Sequence, residues 1–159
     1  MRALVAAQLA LLLAGCAPAL PPSSPSPLLG APVPLFARRS LDGASAGTEG
    51  ARGVVVVKFF ARWCEPCKRT LPAVEALHRA RPDVVLIGVS EDDHASEARE
   101  LVEAYGLTFP VVLDEGNVLA GRFRVRDLPA AIVIDQRGVV RWVGIGEGAN
   151  AAEAVDALR

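Results

Sequence analysis

Apolar positions along this 159-residue chain form two patterns, continuous runs and spaced stripes, and the two alternate. Val54 to Phe60 is a continuous run interrupted only by Lys58, and Val84 to Val89 is another. Such runs predict strands covered on both faces of a parallel or mixed sheet. Between them, Leu71, Val74 and Leu77 line one face of a helix predicted over Glu65 to Ala80, with Pro72 expected to kink it. Ala98, Leu101, Val102 and Tyr105 recur at i, i+3, i+4 and i+7, and Gly106 follows as a stop, so a second helix is expected there. Phe109 to Leu113 predicts a third strand, and Asn117 is expected to cap a short helix through Phe123. Ala130 to Asp135 and Val139 to Val143 flank the turn Gln136-Arg137-Gly138 as a hairpin, and Ala151 to Leu158 predicts a last helix. The segment from Leu35 to Gly53 is less patterned, and its turn signal Leu41-Asp42-Gly43 predicts a short hairpin or loop. Alternating strands and helices that end in an antiparallel hairpin predict an α/β fold, a helix/sheet/helix sandwich.

The first residues break this rhythm. Arg2 precedes an apolar stretch from Ala3 to Ala14, too short to span a membrane as a mature helix but right for the apolar region of a signal peptide. It ends in Leu13-Ala14-Gly15-Cys16, which resembles the bacterial lipobox. That resemblance implies cleavage before Cys16, with residues 1–15 the signal peptide and Cys16 the lipid-bearing N-terminus. From Ala17 to Pro34 the chain holds seven of its twelve prolines, three serines and no charge. Residues 16–34 are therefore expected to be an extended, disordered tether. At about 3.1 Å per residue it would reach up to about 55 Å from a bilayer. Residues 35–159 remain for one domain with a sizeable core.

Charge narrows the partners. Without Arg2, 16 basic residues face 18 acidic ones, a net charge of −2. That balance favours neither nucleic acid nor an anionic membrane surface.

The chemistry lies at the end of the first apolar run, where Trp63 is followed by Cys64-Glu65-Pro66-Cys67. Two thiols three apart at a strand-to-helix turn can form and break a disulfide. The first sulfur lies near free backbone N–H groups, which favour thiolate and lower its pKa from about 8.5 toward 7 or below. A permanent structural disulfide would close a very short loop and gain little entropy. With Cys16 assigned to lipid, the Cys64/Cys67 pair stands alone outside the cytoplasm, so a reductase would need an electron source in the membrane.

Residues 56–68, Val-Val-Lys-Phe-Phe-Ala-Arg-Trp-Cys-Glu-Pro-Cys-Lys, with Leu71-Pro72, Phe123-Arg124-Val125 and Leu128-Pro129, resemble the thioredoxin superfamily. Within it they resemble the TlpA/ResA-like membrane-anchored thiol-disulfide oxidoreductases. The resemblance implies a thioredoxin-like three-layer sandwich, a central mixed sheet flanked by helices, over about Ala31 to Arg159. It implies Cys64 as attacking thiolate, Cys67 as resolving thiol, and a cis peptide at Pro129 facing the dithiol, where only proline makes a cis bond cheap. Trp63, Leu128 and Pro129 would contact a client's extended strand. Protein thiols and disulfides would be the clients, an apocytochrome c thiol pair among them, and a membrane disulfide reductase would be the electron donor. The expected protein is monomeric, lipid-anchored and periplasmic, and needs no cofactor beyond its own disulfide.

Two departures from the family pattern bear on mechanism. Lys58 stands six residues before Cys64, where thioredoxins carry a buried Asp. By strand alternation it shares a face with Val56 and Phe60, under the active turn. There it would favour a thiolate or, with its pKa lowered by desolvation, act as a base; alternatively its amine snorkels to the sheet edge. Thr70 and Ala130 occupy positions where cytochrome-maturation relatives often place Glu, and Thr or Glu. Glu65 is retained, and its charge beside Cys64 opposes thiolate formation, which leans toward reduction. Two other classes meet the same residues less well. A peroxiredoxin-like peroxidase would need a Thr-x-x-Cys helix. A copper-binding or delivery module prefers Cys-x-x-x-Cys with His, or thioethers, and the only Met is the initiator. A zinc site would need two further ligands, and His78 and His94 are expected on the surface.

Overall fold

A computed structural model describes residues 19–159. The predicted signal peptide, the Cys16 lipid site and the first residues after it lie outside the described residues.

The elements run β1 (Ala37–Arg39), β2 (Ser45–Gly47), β3 (Val55–Phe60), α1 (Glu65–Ala80), β4 (Val85–Ser90), α2 (Ala95–Tyr105), β5 (Val111–Leu113), α3 (Val118–Arg122), β6 (Ala130–Ile134), β7 (Val140–Ile145) and α4 (Ala151–Asp156). A five-stranded sheet has the order β5-β4-β3-β6-β7. β3 is central, parallel to β4 and antiparallel to β6, which is why its residues are buried on both faces. On one face, Val56, Phe60, Cys64, Cys67, Leu71, Val74 and Leu77 pack with residues of α2 and α4. On the other, Val55, Val57 and Phe59 pack with Phe36 of the N-terminal hairpin segment and with Leu119 and Phe123 at α3. The mixed-sheet α/β sandwich matches the expected fold class.

Local chemistry explains the boundaries. Gly106 ends α2 in the left-handed region at φ 58°, where a non-glycine residue would be strained. The β1–β2 hairpin closes on Asp42, whose side chain accepts from the Ala44 N–H and from the Ser40 hydroxyl. α1 runs as one element through Pro72. Gly88 in β4 has no space for a side chain, because an added Cβ would meet Val111, Phe109 and Phe60 at about 3 Å.

Two sequence expectations are corrected. Asn117 precedes α3, but its side chain makes no cap. Asp114 does so instead, each carboxylate oxygen accepting at 2.8 Å, from Leu119 N–H and Ala120 N–H. The described part of the Pro/Ser-rich segment is not a free tether either. It is a strap along β7, the edge strand. Ser24 N–H donates to Val143 O, Trp142 Nε1 to Pro22 O, Gly30 N–H to Val140 O, and Pro32 bridges to Val139. Leu20 packs on the core beside it. An edge strand offers unpaired donors and acceptors, and a segment poor in N–H groups but rich in carbonyls and hydroxyls covers it without extending the sheet. The expected reach of an eighteen-residue spacer is therefore not available.

Candidate functional site

The site lies at the C-terminal end of β3. Beyond Phe60 the chain turns through Ala61, Arg62 and Trp63, and the turn is held from below. Arg62 N–H donates to Asp92 Oδ1 at 2.8 Å, while Asp92 Oδ2 accepts from the Ser90 hydroxyl at 2.8 Å. Asp92 is buried at the end of β4 and escaped the sequence reading, since only the Ser90-x-Asp92 spacing after a strand hints at it. Trp63 projects outward, 65 % exposed.

Cys64 is the N-cap of α1, and its Sγ accepts from Cys67 N–H at 3.2 Å. The sixteen-residue helix thus aims its free N–H groups at the first sulfur, as its position in the sequence implies. Cys64 and Cys67 are joined in a disulfide. Cys67 is wholly buried and Cys64 keeps 4 % exposure, so of the two cysteines only the first retains any contact with solvent. Glu65 is exposed and pairs with Lys68 at 2.5 Å, which holds its carboxyl below the usual range. That ion pair weakens the electrostatic lever expected of Glu65 on Cys64. Thr70 donates its hydroxyl to Cys67 O at 2.8 Å.

The Leu128–Pro129 peptide is cis. Phe59 pairs with Ala130, so Pro129 comes in beside Phe60, at the strand end that feeds the dithiol turn. Leu128 packs against the cluster that holds Cys64 and Cys67. Gly146 N–H donates to Pro129 O at 2.8 Å, and Arg69 on α1 makes a double hydrogen bond to Glu147, both at 2.6 Å. The cis-proline segment, the β7–α4 loop and the start of α1 therefore form one surface around Cys64.

Lys58 is buried, 3 % exposed, on the same face as Val56 and Phe60. Its register partners are Gly88 on β4 and Ala131 on β6, two small residues that leave room around the long side chain. It opens on a cavity of about 300 Å³ under α1, lined by Thr70, Val74, Leu77 and Asn150 and bordered by the Arg69–Glu147 pair. No carboxylate among the described residues pairs with it, and burial pushes its pKa down to about 8. β3 is the central strand, so the snorkelling expectation is corrected: the amine has no sheet edge to reach.

His94 is exposed, but His78 is half-buried with its ring edge-on to Phe109 at 5.9 Å, rather than on the surface. Among the described residues no group of three or more His, Cys, Asp or Glu is placed to hold a metal ion. No helix among them is long and apolar enough to cross a membrane.

Comparison with known proteins agrees with this geometry. The profile of the AhpC/TSA family matches residues 29–143, a span that includes part of the strap. Thioredoxin-like protein YneN of Bacillus subtilis is 30 % identical over 122 residues, covering 74 % of this chain and 71 % of YneN. Thiol-disulfide oxidoreductase ResA of Bacillus thuringiensis is 30 % identical over 122 residues, covering 75 % of this chain and 70 % of ResA. The crystal structure of StoA from Bacillus subtilis superposes with a TM-score of 0.68 at 23 % identity, over 84 % of this chain and all of that one, a likeness of fold.

Proposed function

The chain belongs to the AhpC/TSA family and is a thiol-disulfide oxidoreductase of the TlpA/ResA-like kind, and on that premise we propose that it reduces disulfides of protein clients outside the cytoplasm. The observation that carries this reading is the Cys64–Cys67 disulfide at the start of α1, with only Cys64 retaining solvent contact and the cis Leu128–Pro129 peptide at the neighbouring strand end.

In the reduced protein, Cys64 thiolate attacks one sulfur of the client disulfide, and the client's other sulfur leaves as a thiolate and takes up a proton. Cys67, deprotonated, then attacks Cys64 Sγ, releases the second client thiolate and closes the Cys64–Cys67 disulfide. Two electrons have passed to the client, and a membrane disulfide reductase restores the dithiol. Trp63 and the Leu128 backbone hold the client strand over Cys64, with Pro129 keeping that backbone open to it. Lys58, on the face of β3 that carries the dithiol turn, takes the Cys67 proton in its neutral form, the fraction of which burial raises by lowering its pKa to about 8. A buried amine with pKa lowered to about 8 has a neutral fraction that can act as the base a buried carboxylate would be there, and that fraction rises with pH through 8. Glu65 acts from outside as a surface charge tempered by Lys68.

The lipobox-like Leu13-Ala14-Gly15-Cys16 supports anchoring through lipid on Cys16 at the outer face of a bacterial membrane. The likeness to ResA and the retained Glu65 support a place in cytochrome c maturation, with apocytochrome thiols as clients. Replacing Cys67 by Ser tests the exchange mechanism. A client mixed disulfide should accumulate on Cys64, and the absence of any adduct with reducible protein disulfides would overturn it.

A further inference from the structure

The strap and the cis-proline loop enclose a second feature at the active-site end of the sheet. Ser24 is fixed to β7 by its N–H on Val143 O and by its hydroxyl, which accepts from Ile145 N–H at 3.1 Å. Ile145 pairs with Ala130, the residue after Pro129, so Ser24 anchors the strap at the sheet end where the cis peptide enters, before the strap runs back along β7 toward Val140. Pro25 and Pro27 there face Arg124, Arg126 and Asp127 across a cleft of about 510 Å³ floored by Ile145.

The charge in this cleft differs from the rest of the surface around the dithiol. Arg62 is matched by Glu97 at 2.8 Å and Glu100 at 3.6 Å, Lys68 by Glu65, and Arg69 by Glu147. Arg124 and Arg126 are exposed, and neither pairs with a carboxylate among the described residues, although Asp127 lines the same cleft. Two guanidinium groups against one carboxylate leave it net positive. Arg124 also sits in the left-handed region at φ 56°, its N–H on Gly121 O. That conformation costs a side-chain-bearing residue about 1 kcal/mol and is ordinarily given to Gly or Asn. Val125 between the two arginines turns inward and packs on the core, which leaves both guanidinium groups outside. The walls are prolines, rigid and apolar, with no donors of their own to compete for an anion.

We propose that this cleft is a specificity subsite for protein clients, which selects those carrying an Asp or Glu near the reactive cysteine. The inference rests on the proposed seating of the client strand at Leu128 and Pro129. Arg126 and Arg124 precede Leu128 by two and four residues. That segment is a turn rather than a strand, so a client strand seated at Leu128 would carry the acidic side chain within about four residues of its cysteine. Guanidinium recognises carboxylate through paired N–H donors, and the apolar walls accept the rest of the side chain.

The test compares cyclic disulfide peptides identical except for Glu, Gln or Lys at each of those positions, reduced by the full chain with dithiothreitol regenerating the Cys64/Cys67 dithiol and the protein-free rate subtracted, at low and high salt. The expected result is a kcat/KM for the best Glu peptide roughly three- to tenfold above its Gln counterpart, with the Lys peptide below both and the spread collapsing at high salt. In the double variant Arg124→Asn, Arg126→Gln the Glu/Gln ratio should fall to about one. Asn tolerates the left-handed position, and a ratio taken within one protein is insensitive to any loss of folded material. Equal kcat/KM for Glu and Gln peptides in the unaltered chain would overturn the proposal while leaving the exchange reaction intact. Failure to reduce any peptide would overturn the exchange reading, and the subsite with it. Binding of anionic phospholipid vesicles through the two arginines, without peptide preference, would also overturn it.

Discussion

Replacing Lys58 by Met should make the protein more stable and a poorer catalyst. Met is unbranched and of similar length, so it fills the space between Gly88 and Ala131 without a cavity or a charge. The magnitude follows from the amine's titration. In the folded chain the Lys58 pKa is about 8, against 10.5 for a solvated amine, and the cause is burial. Below pH 8 the folded state must carry a buried ammonium that the unfolded chain carries in water. At about 1.4 kcal/mol per pH unit of difference, that destabilises the native fold by about 3 kcal/mol near pH 7. Between pH 8 and 10.5 the folded amine is neutral while the unfolded one is still charged, so the cost fades as pH rises and is gone above 10.5. Denaturant unfolding of the oxidised native chain and the Met variant, at pH 7 and at steps to about pH 10.5, measures this directly. The variant should gain about 3 kcal/mol at pH 7 and lose most of that advantage by pH 10.5. A variant less stable than the native chain at pH 7, or a difference that does not change with pH, would refute the account of Lys58 as an unpaired buried amine. A base is worth retaining at such a cost only if the reaction uses it, so release of mixed disulfides should slow in the variant.

Other expectations draw on carboxylates. Glu91 is half-buried at the end of β4 and has an unpartnered Oε1; burial and, secondarily, the charge of Asp114 push its pKa up to about 7. Its raised value means the folded state is favoured below about pH 4.5 and loses that advantage as pH rises through 7. Glu91→Gln should therefore flatten the stability profile between those limits and add on the order of 1 to 2 kcal/mol at pH 8 after allowance for solvent screening, as read by thermal or denaturant unfolding. Asp92→Ala leaves the part-buried Arg62 N–H and the buried Ser90 hydroxyl without their acceptor and should cost about 1 to 2 kcal/mol, with client reduction slowed because the turn carrying Trp63 and Cys64 loosens. Unchanged stability and kinetics in that variant would show that the turn is held by other contacts.

Much of this molecule is legible in its sequence because strong local signals agree with the tertiary structure. The apolar run before Cys64 reads as a central strand and is one. The stripe Leu71, Val74, Leu77 reads as a helix face and packs on that strand. Gly106 reads as a stop and takes the left-handed conformation. What escaped depends on contacts distant in sequence. Asp114 caps α3 from before Gly116, whose φ of 69° turns the chain so that the carboxylate reaches N–H groups five and six residues on. Asp92 supports Arg62 across thirty residues. The strap carries no periodicity at all, and its role appears only with the β7 edge that it covers. Alternation puts Lys58 on the right face, but its isolation follows from the place of β3 at the centre of the sheet, with small residues on either side.

The direction of electron flow is the central claim, and the reduction potential tests it most directly. With the chain after residue 16, strap retained, equilibrated against a glutathione buffer and the Cys64/Cys67 state read by thiol trapping, a value of about −250 mV or lower is predicted for a reductase. A value near about −120 mV would contradict the account and make the protein an oxidant that introduces disulfides.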